Sequence, residues 1–198
     1  MVFKCMFFII FFVYSCQKKD NVEIYLLKEV KPNKIGVKYL NDDKYDTTTY
    51  DSIKNIYYKW GDFDYEKVDL NEKPFISNSE ILSLDTLKGV IKFNRNASQR
   101  IIKITSDFHR SKQFVITVNG KPVMNGYFHN IFSSFGTDWN TIRFEDLKNI
   151  ENKELKFYQF NIYKGKGLKD NFDKAKINYS EYPTLIDALV KSGRLEVK

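Results

Sequence analysis

The sequence predicts an α+β fold in which a small, mainly antiparallel mixed sheet, built from hairpins, is backed by two or three short helices. Three observations support this prediction. Residues 113–128 form two strand-like runs on either side of Asn119-Gly120, the pair that most readily makes a two-residue β-turn. Other runs alternate in polarity with a period of two, as half-buried strands do. Further short runs place apolar residues at helical spacing beside residues that begin or end helices.

The central hairpin also predicts its own register. The expected cross-strand pairs are Val118 with Lys121, Thr117 with Pro122 and Ile116 with Val123. The pair next to the turn is hydrogen-bonded, so the following pair is not, and the missing N–H of Pro122 points away from its partner strand. A third strand on that side would lose a hydrogen bond there. We therefore expect residues 121–128 to run along a sheet edge, or to bulge, near Pro122.

Strands are predicted elsewhere by the same alternation. They cover residues 22–29, 35–39, 90–93, 141–144 and 154–163, with Leu195 and Val197 closing the sheet. Turn residues at 31–34 join the first two strands into a hairpin. Residues 53–60 are ambiguous, because their apolar side chains fit one helical face while their composition also suits a strand.

A capping box predicts a short helix that begins near residue 77. Ser77 stands three residues before Glu80, and Ile76 and Ile81 occupy the positions of a hydrophobic staple. This helix should stop by Gly89.

Two further helices follow from apolar spacing. Residues 97–110 read as an amphipathic helix, with a strand at residues 100–105 as the competing interpretation. Near the carboxyl terminus, Thr184 with Asp187 can cap a helix that Gly193 ends. Its buried face should carry Leu185, Ala188 and Leu189. We find no internal repeat or Gly/Ser linker in the sequence, so residues 22–198 are predicted to form one domain.

The first fifteen residues have the composition of a secretory signal. Lys4 precedes an apolar run at residues 6–14, and the small residue Ser15 stands before Cys16. Nine apolar residues are too few for a membrane-spanning helix, which takes about 20. We therefore predict that residues 1–15 are a signal peptide and not a retained anchor.

Val13-Tyr14-Ser15-Cys16 resembles the lipobox of bacterial lipoproteins, whose pattern is Leu-Ala/Ser-Gly/Ala-Cys. The resemblance implies that Cys16 is acylated, with palmitate-type chains, and becomes the first residue of the mature protein. Residues 16–21 then form a tether, and residues 17–20 resemble a short lysine and acid signal for transfer to the cell surface. The implied location is the outer membrane, periplasmic or surface-exposed. A secreted protein with a chance cysteine is the alternative.

Composition excludes several classes of function. The chain has 32 basic and 25 acidic residues, and the basic ones are scattered among the acidic ones. A nucleic-acid interface needs a clustered basic face, so none is predicted. The only other cysteine, Cys5, lies in the signal, which leaves no thiol for a disulfide, a nucleophile or a zinc site.

Catalytic patterns are also missing from the sequence. His109 and His129 are the only histidines, and neither has the spacing of a helical metal site. Four aspartates at residues 42–51 lack the alternation of a calcium loop. We predict no metal, no cofactor and no enzymatic activity, while a hydrolase that joins His129 to carboxylates is a third interpretation.

Two features predict binding instead. Phe132, Phe135 and Trp139 are interleaved with small polar residues, a mixture that is typical of recognition loops. The alternative is that the three rings turn inward and fix the loop to the core. The second feature is the strand edge after the hairpin turn, where an extended peptide could add a strand. The candidate contact residues there are Lys121, Met124 and Tyr127.

Residues 74–134 resemble the periplasmic head of SecD-type protein-export subunits. The similarity lies in PFISNSEILSLD, then a strand and a helix, then FVITVNGKPVMNGYF, and small bacterial lipoproteins share the Gly126-Tyr127-Phe128 and Ser133-Ser134 pattern. It implies an α+β domain that meets unfolded polypeptide, although fold analogy does not carry function. We therefore predict a lipid-anchored envelope domain that binds a protein or peptide. An immunity or inhibitor lipoprotein that neutralises a toxin or hydrolase is the alternative.

Overall fold

A computed structural model of the chain describes residues 20–31, 34–38, 50–51, 56–104, 112–130, 137, 139–144, 157–165 and 176–196. The fold is broadly α+β but mostly sheet. A mixed sheet of eight strands curls into a half-barrel, accompanied by a three-stranded sheet and, in these ranges, two α-helices. Neither of these two helices is long and apolar enough to cross a membrane.

Eleven strands and two α-helices are found in the described residues. They are β1 (Val22–Leu26), β2 (Lys34–Lys38), β3 (Tyr50–Asp51), β4 (Ile56–Trp60), β5 (Ile81–Asp85), β6 (Val90–Asn94), α1 (Arg95–Lys103), β7 (Lys112–Val118), β8 (Lys121–Asn130), β9 (Asn140–Phe144), β10 (Phe157–Lys164), α2 (Pro183–Lys191) and β11 (Leu195–Glu196). The large sheet has the order β1-β7-β8-β9-β10-β6-β5-β11, and the small one has the order β2-β4-β3. The predicted sheet is matched only in part, since it is larger than expected and the β8–β9 and β5–β11 pairs are parallel.

The central hairpin is confirmed as β7 and β8. Asn119 and Gly120 have φ angles of 52° and 77°, which the two-residue turn requires. Val118 pairs with Lys121 and Thr117 with Pro122 as predicted, but Ile116 pairs with Met124 because Val123 is bulged out of the ladder. Strand β9 joins β8 only from Tyr127 onward. Residues 121–126 therefore lack a second strand neighbour in the described structure.

The predicted first hairpin is wrong. Strand β1 pairs with β7, and β2 pairs with β4 in the other sheet. Pairing with β7 places Val22 and Ile24, both almost fully buried, in the main core. The burial of these apolar side chains outweighs the local turn between β1 and β2.

The predicted helix after residue 77 is also wrong. The carboxylate of Glu80 accepts hydrogen bonds from the Ser77 N–H, at 2.9 Å, and from the Ser77 hydroxyl, at 3.0 Å, but only a 3₁₀ turn follows at Asn78–Glu80. The chain then enters β5, where Ile81 and Leu84 are buried against β6. Tertiary burial overrides the local helix signal here.

The remaining elements largely follow the sequence. Helix α1 forms where the amphipathic pattern lies, so the strand alternative is wrong, while residues 105–111 fall outside the described part. Residues 56–60 of the ambiguous segment form strand β4, and residues 53–55 lie outside the described part. Strands β6, β9 and β10 lie where strands were predicted. Helix α2 begins at Pro183, and its N-cap, Tyr182, makes no side-chain cap bond, so Thr184 does not cap it. Leu195 joins the sheet beside β5; Val197 is outside the described part.

The apolar space between α2 and the strands of the large sheet is nearly filled. Leu185 and Leu189 of α2 pack against apolar residues from strands across the sheet, and the cavity left among them measures about 10 Å³. That is at most the space of one water molecule. The cavity lined by these residues is therefore too small for a ligand.

A second, smaller hydrophobic cluster lies on the other face of the hairpin. Val115 and Tyr127 belong to it, whereas Ile116 and Met124 belong to the main core. Alternate residues of a strand point to opposite faces, so this cluster covers the outside of β7 and β8. Phe63 completes it, with partly buried neighbours Leu27, Tyr65, Val68, Leu70 and Trp139. Residues 61–70 thus form a cover over the outer face of the hairpin.

Candidate binding site

The predicted contact residues have different positions in the structure. Lys121 is exposed beside the hairpin turn, and Trp139 is half-buried. Met124 and Tyr127 are fully buried, one in each hydrophobic cluster, because the alternation of β8 directs them to its two covered faces. Their side chains therefore cannot touch a partner in this conformation. Phe132 and Phe135 lie outside the described residues.

Trp139 is fixed in position from several sides. Its indole Nε1 donates a hydrogen bond to Oδ1 of Asn125, and its backbone N–H donates to Oγ1 of Thr137 at 3.0 Å. The backbone carbonyl of Trp139 accepts from the N–H of Gly165 at 2.9 Å. The ammonium of Lys164 lies 4.6 Å from the centroid of the indole ring, within the range of a cation–π interaction.

Asn125 is the hub that holds the cover and Trp139 together. Its side chain is fully buried, and its Nδ2 donates to Oδ1 of Asp62 at 2.8 Å and to the carbonyl of Phe63 at 2.6 Å. The bond from Trp139 uses its Oδ1, so both donors and the acceptor of the amide are engaged. The backbone carbonyl of Asn125 accepts from Nδ2 of Asn140 at 3.0 Å.

Sequence reasoning missed Asn125. The signal that could have found it is an amide in the middle of a strand, between the buried residues Met124 and Tyr127. A buried polar side chain of this kind needs partners, because an unpaired one costs free energy. Its partners lie far away in the sequence, so only the fold identifies them.

Tyr127 attaches the cover at a second point. Its hydroxyl donates to the carbonyl of Gly61 at 2.7 Å, and its ring meets Phe63 edge-on at 5.8 Å between centroids. Burial raises the pKa of Tyr127 to about 12, while the hydrogen bond from the amide of Gln113 lowers it and the carboxylate of Asp62 raises it. The same Gln113 accepts from the N–H of Lys31 and donates to its carbonyl. Through these hydrogen bonds, the hairpin strands β7 and β8 hold both the cover at Gly61 and the chain after β1 at Lys31.

The surface over this network carries two aromatic rings and two side chains of opposite charge. We call Asp62, Tyr65, Trp139 and Lys164 the Trp139 patch. Asp62 and Lys164 are exposed, and Tyr65 and Trp139 are half-buried. Burial raises the pKa of Tyr65, and the nearby carboxylates of Glu66 and Asp62 raise it further, so this phenol is neutral at physiological pH. The patch offers apolar area, hydrogen-bonding groups and both signs of charge.

The histidines and aspartates considered as candidate catalytic or metal-binding residues are only partly described by the structure. His129 is buried in β8, and His109 lies outside the described part, as do Asp42, Asp43 and Asp46. Among the residues that are described, no group of three histidine, cysteine or acidic side chains is placed to hold a metal ion.

The chain matches no known protein family, and no curated protein or solved structure is significantly similar to it. The resemblances to lipoproteins and to the SecD-type head stay predictions. The function of the protein has therefore to be inferred from the geometry of the Trp139 patch and from the amino-terminal sequence.

Proposed function

We propose that the protein is a lipid-anchored domain of the cell envelope, held by acylated Cys16, that binds a protein or peptide through the Trp139 patch and does not catalyse a reaction. The observation that carries the binding proposal is the half-buried indole of Trp139, which donates a hydrogen bond to the buried amide of Asn125 and lies within cation–π distance of Lys164. Tryptophan is enriched among the residues that dominate binding free energy at protein interfaces.

The rigidity of the patch supports this proposal. A side chain that is already ordered loses little conformational entropy when a partner binds, so more of the contact energy appears as affinity. Trp139 meets this condition through its bonds to Asn125 and Gly165. Lys164 and Asp62 remain exposed on either side and can select a partner by charge.

Strand addition at the edge of β8 is the weaker route to binding. Pro122 cannot donate a backbone hydrogen bond, and the bulge at Val123 disturbs the regular spacing of donors and acceptors. The carbonyl of Asn125 is already bonded to Asn140. These features protect an edge, so the patch and not the edge is the proposed contact.

The anchor rests on the sequence. Several acyl chains at Cys16, each methylene contributing about 0.8 kcal/mol when buried, would hold the domain at a bilayer. Polypeptide near that bilayer is then the natural partner class, as the resemblance to export-subunit heads implies.

Capture of proteins from an envelope extract by the purified full-length protein tests the binding proposal. Lys164→Ala and Asp62→Ala should each reduce the amount of the captured partner severalfold. Lys164→Ala should leave the melting temperature nearly unchanged because its side chain is exposed, whereas Asp62→Ala also removes an acceptor from buried Asn125 and should lower it modestly. Lys103→Ala is the matched control, since Lys103 is an exposed lysine on α1 and outside the patch. Equal capture by the wild type and both patch variants would refute the patch. Mass spectrometry of the captured protein would show whether the partner is a toxin or another polypeptide.

A further inference from the structure

The chain enters the described body at one defined place. Oδ1 of Asp20 accepts a hydrogen bond from Nδ2 of Asn119, at 2.8 Å, in the hairpin turn. The N–H of Asn21 donates to Oδ1 of Asn119 at 2.9 Å, and the N–H of Asn119 donates to the carbonyl of Asn21 at 2.8 Å. On the other side, Nζ of Lys191 at the end of α2 lies 3.7 Å from Oδ2 of Asp20. Asp20 therefore joins the amino-terminal end of the described body to the hairpin turn and to the end of α2.

The tether before this point is short. Four residue steps separate Cys16 from Asp20, and an extended chain covers at most about 14 Å in four steps. This inference rests on the proposed acylation of Cys16. With its acyl chains in a bilayer, Cys16 would stay at the headgroups, and the hairpin turn would stay within about that distance of them.

The surface at this entry point has the composition of a membrane contact. We call Gly120, Lys121, Val190 and Lys191 the entry face. Lys121 is exposed, the Lys191 side chain is 70% exposed, and Val190 is 56% exposed, the largest exposed fraction among the large apolar residues that the structure describes. Lysines are attracted to anionic headgroups, and an apolar side chain among them can enter the interface.

The positive charge at this end of the molecule comes mainly from the tether sequence. On the body, Lys121 and Lys191 are balanced by Asp20, which faces Lys191, and by exposed Asp187, one turn before Lys191 on α2. Lys18 and Lys19 add two positive charges in the tether sequence. A bilayer with anionic lipid therefore complements the entry face.

We propose that the entry face docks on an anionic bilayer surface, so that the hairpin turn points toward the membrane. Strand β8 runs from Lys121 to Asn130, a length of about 30 Å, so its far end is directed away from the bilayer. The orientation keeps the rest of the body accessible to partners in the surrounding space.

A matched pair of labelled variants tests this orientation. The acylated mature chain has no free thiol, so Lys121→Cys and Lys112→Cys each give one position for a fluorescent label. Both replace an exposed lysine, and they lie at opposite ends of β7 and its turn, about 20 Å apart along the strand. The full acylated protein is placed in vesicles of phosphatidylethanolamine and phosphatidylglycerol that carry a headgroup-attached quencher. Intact-mass spectrometry of the same samples reports the state of Cys16.

With Cys16 acylated, the label at residue 121 should be quenched at least about twofold more than the label at residue 112, because only the first lies beside the headgroups. Replacing the anionic lipid by phosphatidylcholine should reduce that difference. Equal quenching at both positions would refute the proposed docking, and so would a difference in quenching that is the same with and without anionic lipid. Neither result would contradict the acylation of Cys16. An unmodified Cys16 would refute the anchor and this orientation with it.

Discussion

Replacing Asn125 by alanine tests the hydrogen-bonding hub of the outer face. The variant removes the hydrogen-bond partner of the buried carbonyl of Phe63 and of the indole N–H of half-buried Trp139, whereas the exposed carboxylate of Asp62 regains water. An unpaired buried group costs about 1–3 kcal/mol and the partly buried indole N–H costs less, so Asn125→Ala should lower the free energy of unfolding by about 3 kcal/mol. That is a large share of the roughly 5–15 kcal/mol that holds a domain of this kind folded.

Urea unfolding followed by circular dichroism measures this loss through the transition midpoint and slope. Asn161→Ala is the matched control, because Asn161 is an exposed asparagine of β10 and its loss should change the free energy of unfolding by no more than about 0.5 kcal/mol. If Asn125→Ala were as stable as Asn161→Ala, Asn125 would not be the hub, and the rigid support proposed for Trp139 would be refuted.

Three further predictions concern packing, pH and anchoring. Gly126→Ala places a Cβ 2.5 Å from the carbonyl oxygen of Asn140, so it should cost about 3 kcal/mol of stability in the same urea assay, against about 1 kcal/mol for Gly120→Ala, which meets no atom within 4 Å but has a φ of +77°. Because buried Tyr127 stays neutral up to a pKa of about 12 while an unfolded tyrosine ionises near 10, Tyr127 alone should lower the free energy of unfolding by up to about 3 kcal/mol between pH 10 and pH 12. Buried Tyr179 adds to this loss, so Tyr127→Phe should reduce the alkaline loss without abolishing it. Cys16→Ser should move the protein from the membrane fraction to the soluble fraction.

Each of these predictions has an outcome that contradicts it. Equal stability of the two glycine variants would show that β8 and β9 are not packed closely at Gly126. An unchanged alkaline pH dependence in Tyr127→Phe would assign the loss of stability to other tyrosines. Continued membrane association of Cys16→Ser would place the anchor elsewhere in the chain.

Local chemistry made part of this fold predictable. The Asn119-Gly120 turn forms because two adjacent positive φ angles favour this pair. Pro122 lacks an N–H for a third strand, and β9 pairs with β8 only from Tyr127 onward. Helix α1 was also predictable, since its apolar spacing is strong, and its N-cap Asn94 accepts a hydrogen bond from the N–H of Ala97. In each case the deciding contacts lie within a few residues.

The wrong predictions concern elements whose structure is decided by contacts with residues far away in the sequence. The pairing of β1 with β7 depends on a partner on the far side of several other elements. The capping box of Ser77 and Glu80 forms its bonds, yet Ile81 continues into a strand because β6 covers it. Strand preference is set more by neighbours than by the residues themselves.

In the candidate site, too, local sequence predicts single residues, and the fold decides which residues lie together. The composition of the loop predicts that Trp139 is a recognition residue, and the structure places it half-buried at the surface. Its support by Asn125, and the positions of Asp62 and Lys164 beside it, depend on three segments that only the fold brings together. Met124 and Tyr127 were singled out as contact residues because nothing in the local pattern shows that both faces of β8 are covered.

The proposal that an acylated cysteine holds a binding domain at a membrane is tested most directly by intact-mass spectrometry of the protein extracted from cell envelopes. The expected mass is that of a chain beginning at Cys16 with several acyl chains attached. A chain that retains residues 1–15, or that carries an unmodified thiol at Cys16, would contradict the account.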